Sequence, residues 1–152
     1  MNTERTAKAE ALFLQGYNCA QSVVHAYQSE LGIDSATALK CACGFGAGMG
    51  RRQEICGAVT GGVLVLGLRQ GRALGEPKAK SEETYAGVRN LMTRFELTHG
   101  SCACCELLSG CDLQTETGQR EFKEKNYLQE RCVRYVRDVV TMLDELAAPP
   151  SG

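Results

Sequence analysis

The sequence predicts an all-α, single-domain bundle of about six or seven helices around a central apolar helix. Apolar residues recur at helical spacing in several segments, and residues typical of helix caps stand at the ends of these segments. No stretch shows the two-residue alternation of a strand. The length of 152 residues fits one domain, expected over residues 1–148, with a disordered tail at residues 149–152.

The first two helices are indicated by their ends. Residues 3–15 form the first helix, which Gly16 ends. Asn18 then stands as an N-cap with Gln21 three residues later, as in a capping box. The second helix follows over residues 19–31 and carries an apolar stripe on one side.

A short third helix over residues 35–43 leads into a glycine-rich loop at residues 44–53. The fourth helix, over about residues 55–70, is apolar on all sides, which predicts that it is enclosed by the others. Gly57 and Gly61 are four residues apart and share one face of it. We expect this face to admit a neighbouring helix that brings another cysteine close to the cysteine at the helix start.

The second half of the chain is more polar. Ser81 is the expected cap of a fifth helix that ends at His99, and Ser101 caps a short sixth helix. Residues 111–125 are predicted to be a polar connection. The last helix is expected over about residues 126–147, where the apolar residues are in helical register.

Charge and composition exclude several classes of function. The chain has 17 basic and 18 acidic residues and no tryptophan, so no nucleic-acid partner is expected. The longest uncharged apolar run, Ile55–Leu68, has about 14 residues, fewer than a bilayer requires, so no membrane insertion is expected. The first ten residues lack the apolar core of a signal peptide, which favours a cytoplasmic location.

Cysteine is the unusual component of this composition. Nine cysteines are present, and in a reducing compartment they serve metal binding or redox chemistry more often than a structural disulfide framework. They are Cys19, Cys41, Cys43, Cys56, Cys102, Cys104, Cys105, Cys111 and Cys132.

Several of these thiols stand where a helix is predicted to begin. Cys19, Cys56 and the cluster at 102–105 occupy such positions, where unpaired N–H groups and the helix dipole lower the pKa of a thiol. Cys132 lies on the apolar stripe of the last helix and is expected to face inward. These thiols are therefore candidates for one shared pocket, although any single one is equally compatible with a small buried core residue.

Metal binding is the main alternative. The CAC stretch at 41–43 and the CACC stretch at 102–105 offer soft donors for copper(I), zinc or an iron–sulfur cluster. The chain has no CxxCH motif, which excludes covalently attached c-type haem. The glycine loop has a GxGxxG-like spacing, but no strand precedes it and no lysine–serine pair follows, so phosphate binding is not expected.

Four segments together resemble a known family. They are GYNCAQSVVHAY (16–27), GFGAGMGRRQEICGAVTGGVLVLGL (44–68), THGSCACCELLSGCDL (98–113) and CVRYV (132–136). In this order they are similar to the redox-active proteins named for the C_GCAxxG_C_C pattern, with the CGAxxG core at residues 56–61.

The resemblance implies a set of four working cysteines. By position these are Cys19, Cys56, Cys104 and Cys132, and Cys104 fits the third position because CxxLL begins there. Cys102 and Cys105 are alternatives for that third position. With Cys104 in that position, five cysteines are extra to the pattern: Cys41, Cys43, Cys102, Cys105 and Cys111.

The resulting hypothesis is thiol–disulfide exchange or electron transfer, with an unidentified redox partner. Cys56 is the expected nucleophile because of its helix start, Cys19 the resolving partner, and Cys104 with Cys132 a second pair or relay. A metal or iron–sulfur module with the same four ligands is the alternative. A transporter-associated interaction protein without catalytic activity is a third, and the sequence leaves both enzymatic activity and homodimer formation open.

Overall fold

The computed structural model describes residues 3–147 and confirms the all-α fold, with eight α-helices, one π-helical segment and no strand in this range. The predicted domain limit at residue 148 and the tail at residues 149–152 lie outside the described residues. The helices are α1 (Thr3–Leu14), α2 (Cys19–Leu31), α3 (Ser35–Cys43), α4 (Gly57–Gln70), α5 (Ala79–His99), α6 (Cys104–Leu107), α7 (Glu116–Glu124), the π-helical segment (Leu128–Cys132) and α8 (Val133–Ala147).

Helix α4 is the centre of the bundle, as its apolar sequence predicts, and packs against α2, α5 and α8. Two adjacent glycines allow close approach on two of its faces. A β-carbon at Gly61 would lie 3.0 Å from the Cα of Ala20 in α2. A β-carbon at Gly62 would lie 2.6 Å from the side chain of Leu91 in α5. The backbone of α4 therefore touches its neighbours where an ordinary side chain would hold them apart.

The predicted capping box at the start of α2 is confirmed. The N–H of Gln21 donates to Oδ1 of Asn18 (2.9 Å), and the N–H of Asn18 donates to Oε1 of Gln21 (3.0 Å). The amide of Asn18 also donates to the carbonyl of Cys43 at 2.8 Å. One residue thus fixes both the direction of α2 and the position of the loop that follows α3.

Four predicted elements in the second half differ from the structure. Helix α6 begins at Cys104 with Ala103, not the expected Ser101, as its N-cap, because Ala103 is still paired with Ile55 in a bridge. Helix α5 begins at Ala79, before the expected cap Ser81. Helix α7 lies within the predicted polar connection, because its single large apolar residue, Phe122, gives too little periodicity to reveal a helix. The last helix is divided into the π-helical segment and α8, a change of winding that leaves no mark on apolar spacing.

The glycine-rich loop has an unusual backbone. Residues 47–51 all have positive φ, and three of them, Ala47 (50°), Met49 (70°) and Arg51 (67°), are not glycine. Each such residue costs on the order of 1 kcal/mol, so the surrounding structure must hold this conformation in place. Hydrogen bonds across the loop do so: the N–H of Gln53 donates to the carbonyl of Ala47 (3.1 Å), and that of Glu54 to the carbonyl of Gly48 (2.9 Å).

Gln53 connects this loop to the segment before α7. Its side chain is buried, donates to the carbonyl of Cys111 at 2.7 Å, and accepts from the N–H of Leu113 at 2.8 Å. A buried amide that satisfies two backbone groups is costly to remove, because both groups would lose their partner. The loop at 44–53 and the segment at 111–113 therefore have fixed relative positions.

Tyr27 anchors the end of the bundle where α2 meets α8. Its hydroxyl is shared between the carbonyl of Val140 (2.8 Å) and the carboxylate of Asp144 (2.9 Å), and the residue is fully buried. The guanidinium groups of Arg5 and Arg69 lie 4.4 Å and 5.4 Å from the centre of its ring. This cation–π arrangement ties α1 and α4 to the same residue.

Within residues 3–147, no helix combines the length and the apolar character needed to cross a membrane.

Candidate functional site: a cavity lined by four cysteines

A cavity of about 400 Å³ lies where the starts of α2, α4 and α6 meet α7 and the π-helical segment. Cys19, Cys56, Cys104 and Cys132 all line it. These four residues come from four separate parts of the sequence, so the fold itself brings them together. They are the same four that the resemblance selects, and their chemical roles stay predictions.

Cys56 and Cys104 are held by a short antiparallel bridge between Ile55 and Ala103. The N–H of Cys56 donates to the carbonyl of Cys102 at 2.7 Å, and the N–H of Cys104 donates to the carbonyl of Glu54 at 2.6 Å. Since both cysteines are tied through their own backbone, their side chains leave the bridge from fixed points. Cys56 then serves as the N-cap residue of α4, and Cys104 begins α6.

Cys19 reaches the cavity because the residue after Cys56 has no side chain. A β-carbon at Gly57 would lie 3.1 Å from the Cβ of Cys19 and 3.1 Å from the carbonyl oxygen of Phe45. The expectation that glycines on α4 admit a helix carrying a cysteine is therefore confirmed for α2. Cys19 is the first residue of that helix and is half-buried.

Cys132 enters from the opposite end of the chain, as the last residue of the π-helical segment. Two neighbours tie this segment to α6. Arg131 donates to the carbonyl of Leu107 at 2.9 Å, and the hydroxyl of Tyr135 donates to the same carbonyl at 3.1 Å. These bonds hold the π-helical segment, which ends at Cys132, against α6, which begins at Cys104.

The expected low thiol pKa at the helix starts is not found, because burial outweighs the helix start. Burial raises the pKa of Cys56 to about 11, although the N–H groups of Ala58 and Val59 act to lower it. Burial likewise raises the pKa of Cys104 and that of Cys132 to about 12. The thiol of Cys19 has a pKa well above its ordinary value, again mainly through burial.

The four thiols also affect one another. After burial, the largest contributions to the raised pKa of Cys19 come from Cys132, Cys56 and Cys104. A first thiolate in the cavity therefore opposes the formation of a second, because like charges at short range repel. The reduced cavity is a set of neutral thiols from which one proton at a time is lost.

The other five cysteines do not line the cavity. Cys102 and Cys111 are buried, and their thiols donate to backbone carbonyls, those of Met92 (3.6 Å) and Gly118 (3.1 Å). The exposed cysteines are Cys41, Cys43 and Cys105. Of the three cysteines considered for the third position of the pattern, Cys104 is the one at the cavity.

The described part of the chain contains no preformed metal-binding site, which the alternative hypothesis would require. Within residues 3–147, no three histidine, cysteine, aspartate or glutamate side chains are arranged to hold a metal ion, and all nine cysteines are free thiols. Zinc and iron–sulfur centres in proteins are held by such convergent sets of thiolate or imidazole ligands. Four cysteines are a suitable donor set for zinc or an iron–sulfur cluster, but among residues 3–147 their present arrangement does not form such a site.

Several residues that complete the cavity were not expected from the sequence. Helix α7 contributes Gln119, Phe122 and Lys123, which share one face at helical spacing. The cap of this helix, Thr115, accepts from the N–H of Gly118 at 2.9 Å and was the available sequence signal. The remaining wall is mostly apolar and includes Phe13, Tyr17, Leu107, Leu108, Leu113, Leu128 and Tyr135.

Comparison with known proteins gives one result. Residues 17–146 match the family described as "Putative redox-active protein (C_GCAxxG_C_C)". No curated protein matches the chain, and no solved structure does. The match extends over nearly the whole chain and includes all four cysteines of the cavity. The protein therefore belongs to the C_GCAxxG_C_C family of redox-active proteins.

Proposed function

We propose that the protein carries out thiol–disulfide exchange with Cys19, Cys56, Cys104 and Cys132. The observation that supports this proposal is the shared cavity: four cysteines distant in sequence line one small, mostly apolar space. Cysteines that served only as small core residues would not need to meet in one cavity, because each could pack against its own local neighbours. A cytoplasmic setting is part of the proposal, because a reducing compartment can return the thiols to their reduced state.

Cys56 is the proposed nucleophile. Burial raises its pKa to about 11, less than the pKa of Cys104 and that of Cys132, which burial raises to about 12. The N–H groups of Ala58 and Val59 at the start of α4 favour the negative charge that the attacking sulfur carries.

Cys19 is the proposed resolving residue, because Gly57 lets its Cβ approach the helix that Cys56 begins. In the first step the Cys56 thiolate attacks one sulfur of a disulfide substrate. A protein–substrate S–S bond forms, the substrate S–S bond breaks, and one substrate thiolate leaves. Cys19, as thiolate, then attacks the Cys56 sulfur and releases the second substrate thiolate. Two protein thiols become one disulfide, and one substrate disulfide becomes two thiols.

Cys104 and Cys132 form the proposed second pair. The bonds from Arg131 and Tyr135 to the carbonyl of Leu107 keep this pair at the cavity. By the same exchange, their two thiols would reduce a Cys19–Cys56 disulfide and become oxidised themselves. The fully reduced cavity would thus hold two pairs of electrons, one in each pair of thiols.

Thiol counting in graded redox buffers tests the proposal. Reduced protein is equilibrated with mixtures of a small thiol and its disulfide, free thiols are alkylated, and the peptides are mapped. We expect Cys19 and Cys56 to be lost together in one step, and Cys104 and Cys132 in another. Cys41→Ser and Cys111→Ser are the matched control variants, since neither residue lines the cavity. If the four cavity cysteines stayed free thiols in every buffer, the proposal would be refuted.

Metal analysis of protein purified without oxygen separates this function from the metal-binding alternative. A thiol-exchange protein should contain no stoichiometric zinc, iron or copper. One metal ion or one iron–sulfur cluster per chain, lost in the Cys56→Ser variant, would instead favour a metal centre built by rearrangement of the same four cysteines.

A further inference from the structure

The charges around the cavity are all of one sign. Among the described residues that line it, the charged side chains are those of Arg51 and Lys123, and no aspartate or glutamate is present. Arg51 comes from the glycine-rich loop and Lys123 from α7, so the two cations reach the cavity from different elements.

Both cations lack a carboxylate partner within residues 3–147, whereas two cations near them in sequence each have one. Arg52 lies 3.8 Å from Glu54, and Lys125 lies 2.8 Å from Glu121. The charges of Arg51 and Lys123 are therefore not neutralised by a carboxylate where both residues border the thiols.

Arg51 is also held in a conformation that costs free energy. It is the last of the five consecutive residues with positive φ, and its N–H donates to the carbonyl of Gly46 at 3.3 Å. An arginine in this conformation costs on the order of 1 kcal/mol relative to glycine, yet the loop places it beside the cavity. Strain of this kind is commonly retained where a side chain must be directed at a ligand.

The rest of the lining restricts what an anion at this site can be. The walls are apolar and aromatic, and the volume of about 400 Å³ admits a small organic molecule. The first residues of α2 and α4 also border the cavity, and the positive ends of both helix dipoles add to the potential from the two cations. An inorganic anion would leave the apolar walls without a partner.

We propose that the substrate of the cavity is a small organic disulfide with an apolar body and a carboxylate, which Arg51 and Lys123 attract while the sulfurs enter among the thiols. This inference rests on the proposed thiol exchange and specifies its substrate class. The reaction is the exchange described above: the substrate disulfide is reduced to two thiols, and two cavity thiols are oxidised to one disulfide.

Two aromatic disulfide probes of opposite character test it. Dithiobis-nitrobenzoate carries carboxylates, and dithiodipyridine is neutral. Their rate constants are measured by stopped flow in a background in which Cys41, Cys43 and Cys105 are serine, so that exposed thiols do not contribute. The quantity compared is the ratio of the anionic rate constant to the neutral one, which cancels any change in thiol reactivity.

We expect Arg51→Gln and Lys123→Gln each to lower this ratio by about threefold to tenfold, with a larger effect at low ionic strength. Arg51→Lys keeps the charge and should keep most of the ratio. The matched controls are Arg52→Gln and Arg120→Gln, which remove a neighbouring cation that does not line the cavity and should leave the ratio unchanged. Circular dichroism of each variant establishes that it is folded, and Lys123 on exposed α7 provides the test if Arg51→Gln disturbs the loop.

An unchanged ratio in both Gln variants would overturn the inference, and so would equal losses in the controls, which would mean a general effect of surface charge. Failure of the proposed function gives a different result. In that case neither probe would produce a disulfide between cavity cysteines in any variant, whatever the ratio.

Discussion

Gly57 and Cys19 are in contact across the interface of α4 and α2, so closely that a β-carbon on the glycine would lie 3.1 Å from the Cβ of the cysteine. The same face of α4 continues at Gly61, which contacts the backbone of Ala20. Helix packing and thiol proximity therefore depend on the same two glycines, and a change at either position should affect stability and redox behaviour together.

Gly61→Ala should destabilise the protein by about 1–3 kcal/mol, because the added methyl group would lie 3.0 Å from the Cα and the carbonyl oxygen of Ala20. The displacement of α2 should also slow the formation of a Cys19–Cys56 disulfide. Urea unfolding and the rate of thiol loss in an oxidising buffer measure the two effects.

Gly67→Ala is the matched control for this substitution. A β-carbon at Gly67 would meet no atom within 4 Å, and the residue lies in the same helix. There the same change should raise the free energy of unfolding by up to about 1 kcal/mol, since alanine is the better helix former. Equal effects at the two positions would contradict the role given to the α2–α4 contact.

The rate of thiol exchange should rise with pH well beyond neutrality. Burial places the pKa of Cys56 at about 11. At any pH below that value, raising the pH by one unit should therefore increase the thiolate fraction, and with it the initial rate, close to tenfold. Stopped-flow measurements with the neutral probe from about pH 7 to about pH 10 would show this slope. A plateau near neutrality would indicate the low pKa that the helix start alone predicts.

Stability should fall at alkaline pH under reducing conditions. Unfolded thiols ionise near pH 8.5, whereas the buried Cys56 ionises near 11, so between these values the unfolded chain binds fewer protons than the native one. The free energy of unfolding is unaffected below this window and decreases through it, by about 3 kcal/mol for Cys56 at about 1.4 kcal/mol per pKa unit. Urea unfolding of the wild type and of Cys56→Ala near pH 8 and near pH 10 would isolate this contribution. If the free energy of unfolding falls by the same amount between the two pH values in both proteins, Cys56 makes no such contribution.

Tyr27→Phe should destabilise the protein by about 1–3 kcal/mol. The substitution keeps the buried ring between Arg5 and Arg69 but removes the hydroxyl that bonds the carbonyl of Val140 and the carboxylate of Asp144. Tyr85→Phe, at a tyrosine that is 55% exposed, is the control and should be nearly neutral. Thermal unfolding compares the two, and a neutral Tyr27→Phe would show that the hydroxyl does not contribute.

Met49→Gly should stabilise the folded state by about 1 kcal/mol, because this exposed residue has a φ of 70° that glycine adopts freely. Gly48→Ala, one residue earlier, should be strongly destabilising, since its β-carbon would lie 2.6 Å from the Cα of Gln53. Chemical unfolding of both variants tests whether residues 47–51 have the backbone described. If Met49→Gly destabilised the protein and Gly48→Ala stabilised it, the described backbone of residues 47–51 would be ruled out.

The fold class, the central position of α4 and the capping box at Asn18 follow from local sequence signals. Apolar periodicity and cap chemistry act within a few residues, so they are legible in one sequence. The start of α5 and the winding change before α8 are set by tertiary packing, which a local pattern does not contain. Helix α7 has a cap but only Phe122 as a large apolar residue, and it therefore looked like a connection.

The site was partly accessible from the sequence as well. The positions of Cys19, Cys56 and Cys104 at helix starts, with Cys132 on an apolar stripe, indicated a common pocket. The prediction that the helix start lowers the pKa of Cys56 is wrong, since burial raises it. A helix start is a local property of the sequence, whereas burial depends on the assembled cavity. The cations Arg51 and Lys123 lie in segments whose geometry only the structure reveals.

The four cysteines of the cavity span the chain from its first quarter to its last, and this order has a consequence for synthesis. While the chain emerges from the ribosome, Cys19 and Cys56 are present long before Cys132, which completes the cavity from the π-helical segment. Until then the thiols belong to an unfinished chain, without the shared cavity. The proposed redox activity therefore requires the finished chain, and an unfinished chain with free thiols would be protected from wrong disulfides only in reducing surroundings.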